Sequence, residues 1–231
     1  MRSPEKRFLE PFFKVAALGL ALVLTVAVAA AGIRLGTGFP GLRLVHRIAA
    51  SLEVLVALWL GWHAWRSRAV RPDLFAASLV VLGLTALLAV VGIFGGQQPP
   101  RAAAAANLLG GFALAAAFAW ILGKKVPKTF SGKRFLTPFF GVVAVQVALG
   151  AWLAIVERFG AVLPAHAMLA LVLAAGLGWA GGKALGVAAT AVVLAGFTAL
   201  HYEYSATAAL VHAAAAALLV ASSAYALARS A

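Results

Sequence analysis

The sequence predicts an all-α integral membrane protein: eight transmembrane helices arranged as two parallel-repeat four-helix bundles, with both termini cytoplasmic. Three observations predict it. Of 231 residues, 64% are hydrophobic and 11% charged, with a mean hydropathy of +1.01, whereas a soluble domain carries roughly 25% charge. Apolar runs recur near 15–33, 44–65, 74–95, 103–122, 136–156, 163–181, 184–201 and 207–228, and about 20 residues is what a hydrocarbon layer of roughly 30 Å asks of a helix. Basic residues fall unevenly between the runs. With the N-terminus inside, 14 of the 19 lie on the inner side, and Arg34, Arg43, Arg47, Arg101 and Arg158 lie outside, which is the positive-inside pattern.

The first run follows a basic start (Arg2, Lys6, Arg7, Lys14). No small-residue cleavage site with a soluble domain behind it follows, so the run reads as a span and not a signal peptide. Beyond the GTGFP loop, the second run opens at His46 and closes on WLGWHAWRSR. There Trp59, Trp62 and Trp65 make an aromatic belt and His63 is an interfacial side chain without a functional role. The third and fourth runs meet at QQPPR, and the fourth carries Asn107. Next comes the longest inner loop, KKVPKTFSGKRFLTP. It divides the chain into a half at 1–123, a basic linker at 124–135 and a half at 136–231. FLEPFF (8–13) and FLTPFF (135–140) precede the first and fifth runs and read as helix openings at the inner interface. Their repetition points to a duplication, related by an axis along the membrane normal because each half holds an even number of spans. The sixth run begins near His166, the seventh ends at His201 in LHYEY, and the eighth carries His212 early.

Charge and composition also exclude functions. A net charge of +13 would point to nucleic acid in a soluble protein, but here the charge sits in short loops where it orients the chain. The absence of cysteine removes disulfides, iron–sulfur clusters and thiolate metal sites.

His46, His166 and His212 all lie near the outer end of an even-numbered span, and Asn107 holds the matching place in the fourth. An imidazole inside lipid is expensive without a partner. Two imidazoles on helices facing across a bundle are what a six-coordinate haem iron requires. His166 and His212 are the candidate pair for haem b, and their Ala- and Gly-rich surroundings leave room for a flat macrocycle. The competing reading puts these histidines at the interface, bonded to water or carbonyls. His46, lacking a histidine partner, offers at most a five-coordinate iron or an open substrate site. Glu53, the one acid within a span, follows His46 by two helical turns on the same face; it is either protonated and hydrogen-bonded or part of a proton path. Arg47 and Arg34 are candidate partners for haem carboxylates, the alternative being ordinary snorkelling.

These residues support a resemblance. AGIRLGTGFPGLRLVHR (31–47) resembles the first outer loop and His-Arg pair of the haem A synthase family, and QVALGAW (146–152) is similar to that family's Gln-x-x-Leu-Gly element. The eight-span layout and the histidines on spans two, six and eight match it as well. The resemblance implies haem b between His166 and His212, and haem O as a substrate near His46, oxidised at a methyl group to the formyl group of haem A. It further implies Arg47 as a propionate partner, and a haem O synthase or terminal-oxidase assembly factors as partner proteins. Two positions depart from the family: Asn107 stands where a second histidine is expected and Arg43 where a catalytic glutamate is expected. Glu53 is the candidate replacement carboxylate. The alternatives are a non-catalytic membrane haem b protein that carries electrons or haem, and a small transporter, against which the single intramembrane acid counts.

Overall fold

The computed structural model describes residues 4–36, 39–95, 99–125, 133–153, 162–180, 183–201 and 205–230. They form eight helices: α1 (Pro4–Arg34), α2 (Leu42–Arg66), α3 (Pro72–Gly95), α4 (Arg101–Gly123), α5 (Lys133–Leu153), α6 (Val162–Ala180), α7 (Lys183–His201) and α8 (Ala206–Ser230). Each apolar run of the sequence lies on one of these helices, apart from 154–156 and 181, which fall outside the described residues, as does most of the basic linker.

The connections follow from local chemistry. Gly41, at φ 83°, turns the chain into α2 through the left-handed region that only glycine enters cheaply. Pro72 opens α3, where a proline costs no hydrogen bond. Beside it Arg71 donates through Nε and Nη2 to the two carboxylate oxygens of Asp73, both at 3.0 Å. One expectation about helix starts is corrected. Pro11 and Pro138 lie inside α1 and α5 and do not open them. Packing outweighs the lost backbone bond here: Phe12 and Phe13 are buried in the first core, and Phe139 lies against Gly176 of α6.

Five helices are long and apolar enough to cross a membrane: Leu9–Arg34, Leu42–Arg66, Pro72–Gly95, Arg101–Gly123 and Ala206–Arg229. The apolar stretches of the other three are shorter, Thr137–Leu153, Val162–Leu177 and Leu185–Thr198. The protein is therefore a helical, membrane-embedded one.

Contacts divide the helices into two rings. α1 packs on α2, α2 on α3, α3 on α4 and α4 back on α1; α5 to α8 close in the same way. Short connections make successive helices antiparallel. The rings meet chiefly along α4 and α8, flanked by α1 against α8 and α5 against α4. Exchanging the rings maps this set of contacts onto itself, as a pseudo-two-fold axis between α4 and α8 requires. The seam is built of small residues, with Ala119 of α4 packed against Ala221 and Ala224 of α8. In lipid such residues gain dispersion contact by letting backbones approach closely. Each ring has its own apolar centre, around Phe12, Leu60, Val81 and Phe118 in the first and Val143, Leu173, Leu177 and Val220 in the second.

Candidate haem-binding site

The helix starts place the polar residues in matched register. His46 is the fifth residue of α2 and His166 the fifth of α6, while Asn107 is the seventh of α4 and His212 the seventh of α8. Among the described residues the backbones of the two helices concerned do not approach each other in either ring, so the two positions stand diagonally across the bundle.

In the second ring the diagonal pair meets. The His166 and His212 rings stand 6.2 Å apart, centroid to centroid, at 80° to each other. Two imidazoles bound to one metal from opposite sides, with bonds of about 2 Å, hold their centroids about 6 Å apart. The spacing therefore fits a shared axial position. Glycine makes the room: a Cβ on Gly150 of α5 would lie 3.1 Å from His166 Cε1, and one on Gly196 of α7 would lie 3.1 Å from His212 Cε1. Each imidazole edge rests on bare backbone sixteen residues earlier in the chain.

The rings are anchored by a common device. Nδ1 of His212 lies 3.2 Å from the carbonyl oxygen of Val192, and Nδ1 of His46 lies 3.3 Å from that of Val26. A carbonyl accepts, so Nδ1 carries the proton in both and Nε2 keeps its lone pair. A backbone carbonyl on the far nitrogen is the usual partner of a metal-ligating histidine. His166 differs. Nε2 of Gln146 donates to the His166 carbonyl oxygen at 3.0 Å and lies 3.4 Å from the ring Nε2. In all three the partner lies twenty residues earlier, on the preceding helix.

Among the described residues no three His, Cys, Asp or Glu side chains converge. A bare metal ion would thus find two protein donors, whereas an iron already held by four porphyrin nitrogens needs only two. The donor set fits haem.

His46 is half-buried, with Arg47 and Arg34 exposed near the same end of the bundle. Beside it an apolar groove of about 350 Å³ runs between Leu24, Val28 and Ala29 of α1, Leu42 and Val45 of α2, and Ala214 and Leu218 of α8. Asn107 is half-buried and Arg43 exposed. Glu53 is buried, 6% exposed, and accepts a hydrogen bond from Thr85 Oγ1 of α3 at 2.7 Å. Its partner is thus α3, while His46 is tied to α1. His63 stacks on Trp59 at 4.5 Å and lies 5.8 Å from Phe12. The side chain of His201 lies outside the described residues.

Sequence reading missed Gln146 and Gly196 as neighbours of the imidazoles, and Thr85 as the partner of Glu53. The offset of twenty residues back from His46, His166 and His212, and of sixteen back from His166 and His212, would have found the first two. No family model matches the chain, and no curated protein matches it.

Proposed function

We propose that the protein is a membrane oxidoreductase of the haem A synthase type. In this reading haem b is held between His166 and His212 in the second ring, and haem O is the substrate, seated against His46 in the first. The observation that carries the reading is the 6.2 Å spacing of two imidazoles across a ring of four helices. Haem b, when bound, supplies a one-electron carrier, since its iron cycles between ferric and ferrous. Oxidising a methyl group to a formyl group takes an oxygen atom from water and releases four protons and four electrons, and a one-electron carrier in the adjoining ring would pass those electrons singly to an electron acceptor outside the protein.

The chain's own residues take defined parts. His46, its Nδ1–H held by the Val26 carbonyl, presents Nε2 to the substrate iron. Arg47 and Arg34, exposed at the same end, pair with haem carboxylates. The adjacent groove takes up apolar parts of the macrocycle. Glu53, held by Thr85, is the carboxylate available for proton movement in the first ring. The chain sits in the cell membrane with eight crossings and both termini cytoplasmic, consistent with the distribution of its basic residues. Its partner proteins are a haem O synthase or terminal-oxidase assembly factors, and nucleic acid is not among its ligands.

One observation favours a second reading, a non-catalytic haem b protein: Asn107 and Arg43 hold the two first-ring positions where the family carries histidine and glutamate. A transporter is less well supported, because Glu53 is the only ionisable side chain among the described buried residues and coupled carriers rely on paired intramembrane charges.

The test is to purify the protein from a host that makes haem O and to identify the extracted haems by pyridine haemochromogen spectra. Haem b together with haem O or haem A is expected. Haem b alone would favour the carrier. Protein free of haem would overturn both.

A further inference from the structure

The three anchored imidazoles are not equivalent, and the difference lies in one residue. Twenty positions before His46 and His212 the chain offers backbone carbonyls, those of Val26 and Val192. Twenty positions before His166 it offers the side-chain amide of Gln146. An amide nitrogen only donates, so the ring nitrogen facing it, Nε2, must accept. The remaining ring nitrogen, Nδ1, then carries the proton. It is buried with no hydrogen-bond partner among the described residues, and Gln146 Oε1 is buried and unpartnered too. The amide cannot simply turn over to repair this, because its nitrogen is also bonded to the His166 carbonyl oxygen at 3.0 Å. Turning it would set two acceptors against each other.

Two consequences follow for a metal bound between His166 and His212. A carbonyl on Nδ1–H raises the basicity of an imidazole ligand and fixes its orientation, and His212 has that partner. His166 lacks it, and the lone pair it would give to a metal is the one the Gln146 amide engages. We propose that Gln146 is a positioning residue that makes His166 the weaker and replaceable axial ligand of the second-ring haem, with His212 the permanent one. An iron that can free one axial position can take up a small neutral ligand such as carbon monoxide, and this site would do so on the His166 side. The inference rests on the haem b reading above.

Haem content and carbon monoxide affinity of the full-length protein test it. His166→Ala is expected to retain haem b in a five-coordinate, high-spin form, and His212→Ala to lose it. Gln146→Met keeps the length of the side chain but removes the donor. It is expected to retain a low-spin haem and to bind carbon monoxide about tenfold more weakly in the ferrous state, the scale on which second partners of metal ligands act. A merely structural role for Gln146 would lower haem content and leave the affinity of the loaded fraction unchanged. The proposal falls alone if wild-type protein holds haem b but His166→Ala and His212→Ala lose it equally. It also falls alone if the carbon monoxide affinity of Gln146→Met equals that of the wild type. If wild-type protein holds no haem, it falls together with the reading on which it rests.

Discussion

The first and second rings share one plan of contacts but are furnished differently. The first has helices of 31, 25, 24 and 23 residues, with His46 tied to a backbone carbonyl and a buried Glu53–Thr85 pair. In the second, α5, α6 and α7 have 21, 19 and 19 residues, and its two imidazoles face each other at 6.2 Å. At 1.5 Å per residue the shortest of these is about 28 Å long, close to the hydrocarbon thickness of roughly 30 Å. The comparison teaches that the scaffold and the donor set are separable. The hairpin that ties a histidine back to the preceding helix occurs in both rings. At the seventh residue of its last helix the second ring has His212 and the first has Asn107.

The sharpest way to break the comparison is to supply the missing donor. Asn107 and His212 share their place in α4 and α8, so Asn107→His should give the first ring its own diagonal pair. The expected result is a haem b content approaching twice that of the wild type, with a second low-spin component in the reduced spectrum. Unchanged content would show that the matched register does not carry over to a matched orientation across the ring.

A second test concerns the seam that joins the rings. A Cβ on Gly123 would lie 2.5 Å from Ala228 Cβ and 2.6 Å from the backbone oxygen of Tyr225. Backbone cannot yield as a flexible side chain does, so Gly123→Leu should force α4 and α8 apart at a cost of about 1–3 kcal/mol. Gly111, on the same helix with nothing within 4 Å of its would-be Cβ, is the control. Gly111→Leu should be neutral or slightly stabilising, because leucine favours helix over glycine. Thermal unfolding in detergent reads both. Equal melting temperatures for the two variants would mean that the seam does not hold the rings together.

Much of this was legible in the sequence, and the reason is the solvent. A hydrocarbon layer demands long apolar runs, and so the eight helices could be located from the hydropathy pattern alone. The ends were less legible, since Pro11 and Pro138 read as helix starts while buried Phe12 and Phe13 and partly buried Phe139 and Phe140 carry the helices past them. The neighbours of each helix were hardly legible at all. A face that meets lipid and a face that meets another helix are both apolar in a membrane, so hydropathy does not tell α4 against α8 from α4 against lipid. The histidines could be singled out because imidazole is costly in lipid. Their anchors could not, because a valine carbonyl leaves no mark in the sequence. Gln146 and the two glycines did leave one, but only as offsets from residues already singled out.

The smallest expected effect bears on the Glu53–Thr85 pair of the first ring. Thr85→Val removes the hydroxyl that donates to Glu53 Oε1 at 2.7 Å while nearly preserving side-chain shape. Hydrogen bonds between membrane helices contribute little net stability, about 0.6 kcal/mol on average, because the separated helices find other partners. A loss of about 0.5–1.5 kcal/mol is expected once the cost of a less satisfied buried carboxyl is included. Among the described residues the hydrogen-bond partners of the second-ring imidazoles lie on α5 and α7, so on the haem b reading the spectrum of that haem should not move. If the spectrum does change in Thr85→Val, the two rings are coupled through their seam, and the separation of scaffold from donor set fails at the point where the halves differ most.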